Sequence, residues 1–186
     1  MRFSHASPAT LAADNAPRRS LPAVYRAGAI GVRLSVAGHS QDEDDMALKA
    51  TKAEVWAVSI DDRAGGVADR LEPLANAGAS FEMVLARRTP ESAGKGMLFV
   101  TPVKGAKVTR AARESGMGIP RSIHSVRIEG ADRPGLGAKI ARVLGDAGIS
   151  VRGISGIAIG RKFVSYLACD SAEDQARAIA ALKKLK

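Results

Sequence analysis

The sequence predicts an α+β fold of two β-α-β-β-α units, with antiparallel strands and helices on one face of the sheet. Three observations predict it. Asp61-Asp62-Arg63-Ala64-Gly65-Gly66-Val67-Ala68 reappears as Ala131-Asp132-Arg133-Pro134-Gly135-Leu136-Gly137-Ala138, and the match runs on through Leu74/Leu144, Ala77/Ala147, Gly78/Gly148 and Ser80/Ser150 at a constant offset. Each copy follows a strand-like apolar run and precedes a stretch of helical period. The later elements then recur in the same order. Two copies this long denote a duplicated small domain rather than a solenoid array.

In the first copy, Glu54 to Ile60 reads as a strand, apolar on both faces as in a sheet interior. After the Asp-Arg turn, Val67, Leu71 and Leu74 recur at helical spacing, and Gly78 supplies the stop. Pro73 inside that stretch is expected to kink or shorten the helix. Phe81, Met83 and Leu85 alternate in a second strand, Pro90 to Gly96 is a polar turn, and Met97 to Thr101 returns as a third strand. Lys104 to Ser115 forms the closing helix.

The second copy repeats this order. Ile123 to Glu129 is its first strand, with His124, Val126 and Ile128 on one face. Leu136, Ile140, Val143, Leu144 and Ala147 mark an amphipathic helix, with Pro134 suited to its first turn and Gly148 to its end. Ile149 to Ile159 and Lys162 to Cys169 form a hairpin across Gly160-Arg161. Ala172 to Leu182 is the last helix, with Ala176, Ile179, Ala180 and Leu182 apolar. A split β-α-β unit carries one more strand at its end. Its absence from each copy predicts that the units share or exchange edges, with six strands in one sheet or in two abutting sheets.

The repeats divide the chain into an arm (1–45, disordered or dispensable) and two units, 53–118 and 121–186. The arm is rich in Ser, Ala, Pro and Arg, ends in the acidic run Gln41 to Asp45, and holds one strand-like piece, Ile30 to Val36. It lacks the apolar centre of a secretory signal, and Met46 offers an alternative start. Of the 186 residues, 46% are hydrophobic and 25% charged, as in a soluble globular protein. No apolar stretch is long enough for a bilayer, so no membrane partner is expected. The single cysteine, Cys169, forms no internal disulfide and belongs to no metal cluster, so a cytoplasmic location is the natural expectation.

The segment Val126 to Ile140, continuing through Leu144, Ala147, Gly148, Ile149 and Ser150, resembles an ACT domain: a strand, an Asp-Arg-Pro-Gly-Leu turn, a helix closed by Ala-Gly-Ile, then a second strand. The first copy is similar but has Ala64 and Gly66 where the motif has Pro and Leu. The resemblance covers residues 53–186 and implies ferredoxin-like βαββα(β) units in tandem. It also implies a regulatory protein that binds a small amino acid or related metabolite where two such units meet. Carried over by position, Asp132, Pro134, Gly135, Leu136 and Ser150 line one site, and Asp62, Gly65, Gly66 and Ser80 the other. The physics agrees independently. Free helix-terminal amides suit a carboxylate, an aspartate suits an ammonium, and glycines at 65, 66, 135 and 137 let a ligand approach the backbone. The plainer alternative is that Asp62 and Asp132 cap their helices and the glycines serve only the turn.

Other signals are weaker. Gly135-Leu136-Gly137 lacks the third glycine of a dinucleotide loop, and Gly94-Lys95 lacks the upstream glycine of a P-loop. No Ser–His–Asp order, paired carboxylates or activated thiol stands in the sequence, so no catalysis and no cofactor are expected. The net charge of +9 raises a third possibility, an anion or nucleic-acid binder using Lys104, Lys107, Arg110 and Arg113. Without interleaved aromatics a solvated face is the better reading, so nucleic acid is not an expected partner. The remaining partners are a second copy of the chain, in a homo-oligomer, or a regulated enzyme. The runner-up function is accordingly a ligand-free interaction module, such as the regulatory subunit of a biosynthetic enzyme.

Overall fold

The strand that completes the second copy's sheet lies ahead of the first copy in sequence. In the computed structural model of the chain, which describes residues 48–185, the elements are β1 (Lys49–Ala53), β2 (Trp56–Asp61), α1 (Ala68–Asn76), β3 (Met83–Arg88), β4 (Lys95–Thr101), α2 (Ala106–Glu114), β5 (His124–Ala131), α3 (Leu136–Asp146), β6 (Gly153–Ile159), β7 (Lys162–Cys169) and α4 (Ala172–Leu182). They form a four-stranded sheet ordered β1-β5-β7-β6 and a three-stranded sheet ordered β2-β4-β3, with every pairing antiparallel. The Ile30 to Val36 strand, the arm and Met46 lie outside the described residues.

The α+β, ferredoxin-like class holds, but among the described residues the strand count is corrected from six to seven. Lys49–Ala53 pairs along its whole length with β5, from Lys49 opposite Glu129 to Ala53 opposite Ser125. Its sequence, Lys-Ala-Thr-Lys-Ala, has no apolar alternation, and only Ala50 enters the core, so the local pattern carries no strand signal. The equivalent edge of the three-stranded sheet holds a single bridge. Ala57 N donates to Gly118 O at 2.8 Å, and Gly118 N returns a bond to Ala57 O at 3.1 Å. Both sheets therefore follow one plan, with a full edge strand in one and a one-residue remnant in the other.

Each sheet buries one face under its own helices. Val126, Ile128 and Leu167 pack with Leu136, Ile140 and Leu144 of α3 and with Ala178 and Leu182 of α4. Trp56, Ile60, Leu98 and Val100 pack with Leu74 of α1 and Ala112 of α2. The spacing of Leu136, Ile140 and Leu144, four residues apart, puts all three on one stripe, as the periodicity predicts. Pro73 is accommodated inside α1, which runs to Asn76. Pro134 lies just outside α3 rather than in its first turn, because Gly135 takes the N-cap position.

The last helix has the predicted bounds but a rotated face. Gln175, Ala178 and Leu182 are buried, whereas Ala176 and Ala180 are exposed. Ser171 sets the start, its hydroxyl accepting from Asp174 N at 3.0 Å. Gln175 is tolerated inside because its Nε2 donates to Ser125 O at 2.6 Å. The hairpin is also shorter than predicted on its first arm, since residues 149–152 precede β6.

The helix-free faces of the two sheets meet each other rather than standing open for a partner. Glu82, just ahead of β3, receives hydrogen bonds from Arg127 of β5 (2.5 Å) and Tyr166 of β7 (2.8 Å), and Ser155 of β6 donates to Met83 Sδ of β3 at 3.7 Å. Among the described residues no helix is long and apolar enough to cross a membrane.

Candidate functional site

The first elbow joins β2 to α1. Arg63 N bonds Asp61 O at 2.9 Å and Gly66 N bonds Arg63 O at 3.1 Å, so two amides of the turn are consumed internally. Gly65 has φ +85°, and a Cβ on the buried Gly66 would lie 2.3 Å from Asp61 O, so both glycines are required by the turn itself. The acids around it are neutralised. Lys95 Nζ pairs with Asp61 at 2.6 Å, and that hydrogen bond holds the Asp61 carboxyl below its usual range. Arg88 Nε pairs with Asp62 at 2.8 Å, and Arg63 pairs with Asp69.

The second elbow, between β5 and α3, is more open. Asp132 N donates to Arg161 O at 2.7 Å, and Leu136 N to Arg133 O at 3.1 Å. Gly135 is left-handed (φ +80°) at the N-cap, and among the described residues no side chain caps the helix. Neither Asp62 nor Asp132 is therefore a helix cap. The amides of Gly137 and Ala138 start α3 at an exposed turn, and a Cβ on Gly135 or Gly137 meets nothing within 4 Å. Asp132, Pro134 and Gly135 are exposed, whereas Leu136 is buried in the core and serves packing.

The predicted residues do not all come together. Ser80 and Ser150 are exposed beyond the C-terminal ends of α1 and α3, while the elbows precede the N-terminal ends. A helix of 11 residues such as α3 separates its ends by about 16 Å. Because β5 and β6 run in the same direction, with β7 antiparallel between them, the connecting helix must carry the chain from one end of the sheet to the other. Within one copy, elbow and serine therefore lie at opposite ends.

A polar cluster that local sequence reading missed joins the two sheets. Burial raises the Glu82 carboxyl, but hydrogen bonds from Arg127 and Tyr166 outweigh it and leave the group below its ordinary value. Burial, then the bond to Glu82, pushes the Tyr166 hydroxyl up to about 12. Arg127 also bonds Glu129 at 2.6 Å, which in turn meets Lys49 of β1 at 3.2 Å. The Arg127 bond, opposed by burial and aided by Lys49, holds Glu129 low. Nothing in local spacing ties residue 82 to 127 or 166, so only the fold discloses this clasp. Cys169 is buried, and burial raises its thiol, which disfavours the reactive thiolate.

Residues 124–186 match the family model described as ACT domain. No curated protein matches the chain. Among solved structures, the chain is similar to protein BT0572 from Bacteroides thetaiotaomicron, at 16% identity and TM-score 0.61, over 74% of this chain and 92% of that one. It is also similar to the ligand-free regulatory subunit of aspartate kinase from Thermus thermophilus, at 18% identity and TM-score 0.51, over 75% and 95% of the two chains. At these identities the likenesses establish the fold. The chain carries one ACT domain, residues 124–186, built from β5, α3, β6, β7 and α4.

Proposed function

We propose that this is a non-catalytic regulatory protein that binds a small free amino acid at the Asp132–Gly135 elbow, with residues 53–118 as a second, ACT-like unit in tandem. The observation that carries the reading is the exposed, uncapped start of α3 beside Asp132. Its amides suit a carboxylate and Asp132 suits an ammonium. The Asp62 elbow is the weaker candidate, because Arg88 already occupies its carboxylate. Ser150 reaches a bound ligand only from a neighbouring copy, which ties sensing to assembly.

The second reading, an interaction module, is favoured by the sheet edges. Among the described residues β3 and β6 each have a single sheet neighbour, and they expose Val84, Ile154, Ile157 and Ile159. Such edges suit pairing with a second copy or with an enzyme partner. One of the similar structures is by name a regulatory subunit of aspartate kinase, and an enzyme partner for this chain is proposed on that analogy.

Calorimetric titration of the full chain with each standard amino acid tests the first reading. One saturable ligand is expected, lost in Asp132→Asn and retained in Asp62→Asn. Absence of any heat or thermal stabilisation at millimolar concentrations overturns it.

A further inference from the structure

The facing sides of the two sheets do not close completely. Between them lies a cleft of about 140 Å³, close to the roughly 150 Å³ that accommodates benzene in an apolar protein cavity. Met83, Leu85 and Arg87 alternate along β3 and so share the face turned toward it, and Phe99 stands opposite Leu85 on β4. Ser155 and Tyr166, paired across β6 and β7, form the other wall.

The lining has an apolar body and a cationic end. Arg87 and Arg152 border the cleft, and among the described residues no carboxylate lines it. Arg152 is engaged by Ser122 O at 2.9 Å and by Asp170 at 3.3 Å. Arg87 is not. Its guanidinium carbon lies 5.8 Å from the Phe99 ring centroid, and no carboxylate pairs with it among the described residues. A planar fork of donors beside a benzene-sized apolar chamber suits one chemistry above others.

We propose that this cleft is a second ligand site, distinct from the Asp132 elbow, for a compact monocarboxylate with an aromatic or branched apolar body. The carboxylate pairs with Arg87, and the body packs on Leu85, Phe99 and the adaptable Met83 thioether. A neutral ligand leaves the guanidinium without an anion, and a cationic ligand is repelled by it. Because Tyr166 both lines the cleft and donates to Glu82, a bound acid also holds the two sheets together.

The test is an NMR titration of the full chain with methyl-labelled methionine, the Met83 resonance being assigned from Met83→Leu. Phenylacetate, benzyl alcohol and phenethylamine serve as probes of matched body and different charge. Phenylacetate is expected to give a saturable Met83 shift that the other two do not match. Arg87→Gln, an exposed substitution, is expected to weaken it about tenfold. Asp132→Asn is expected to leave it unchanged, which separates this site from the elbow. No saturable shift, an equal response to phenethylamine or benzyl alcohol, or undiminished binding in Arg87→Gln overturns the proposal.

Discussion

Tyr166 donates its hydroxyl to Glu82 at 2.8 Å across 84 residues of sequence, and the same carboxylate oxygen receives Arg127 Nε at 2.5 Å. One glutamate at the entrance to β3 thus holds two strands of the opposite sheet. Its partly exposed setting keeps the energy of each bond modest, yet its position makes it the polar link between two separate cores.

Acid should loosen this link. The folded Glu82 and Glu129 carboxyls both lie below their ordinary value of 4.5. Their contribution is therefore complete above that value and is lost as pH falls through the lower folded values. Urea denaturation followed by circular dichroism is expected to show a midpoint that drops on acidification below this range. In Glu82→Gln the neutral-pH midpoint is lower and the acid dependence shallower. An unchanged acid limb contradicts the assignment.

The alkaline limb isolates Tyr166. Its hydroxyl is raised from 10.0 to about 12, so the folded state holds the proton more tightly than the unfolded chain. The associated stability is present below 10.0 and lost as pH rises toward 12. The chain has two tyrosines. In a Tyr25→Phe background, phenolate absorbance should report one transition near the high value, and Glu82→Gln should move it down.

The pairing of β1 with β5 predicts a cost far out of proportion to the polarity of Lys49–Ala53. Ala50 is 1% exposed and stands opposite Ile128. Ala50→Asp buries a carboxylate without a partner and should cost about 3 kcal/mol or more. The urea midpoint measures it, and a change within error removes β1 from the core.

The two elbows should respond oppositely to the same substitution. Gly66→Ala drives a methyl into Asp61 O and should destabilise by roughly 1–3 kcal/mol. Gly137→Ala meets open space in the first turn of α3 and should be neutral or stabilising by about 0.5 kcal/mol. If a ligand uses the Gly137 amide at close approach, that second variant loses affinity while keeping its melting temperature. Thermal melts and calorimetry on the same pair separate the two effects.

Much of the fold was legible because it rests on short-range rules. The stripe of Leu136, Ile140 and Leu144 follows from helical period, the β7 bounds from an apolar run after Gly160, and the elbows from glycines that only a turn requires. The rotated face of α4 was not legible in this way. Gln175 looks like a surface residue until Ser125 O is placed beside its amide. Nor does the sequence show that Asp62 loses its availability to Arg88, which only the β3–β4 hairpin brings near.

Sequence alone determined the duplicated β-α-β-β-α order, the apolar stripe of α3 and the fold class, because apolar periodicity and turn chemistry act over a few residues. Tertiary structure alone decided that Lys49–Ala53 closes the sheet of the second copy, that the helix-free faces meet, and that Glu82 joins Arg127 and Tyr166. Strand partners and facing side chains are chosen by which surfaces remain unburied once the local elements exist. That choice depends on contacts between distant parts of the chain, which no local pattern encodes.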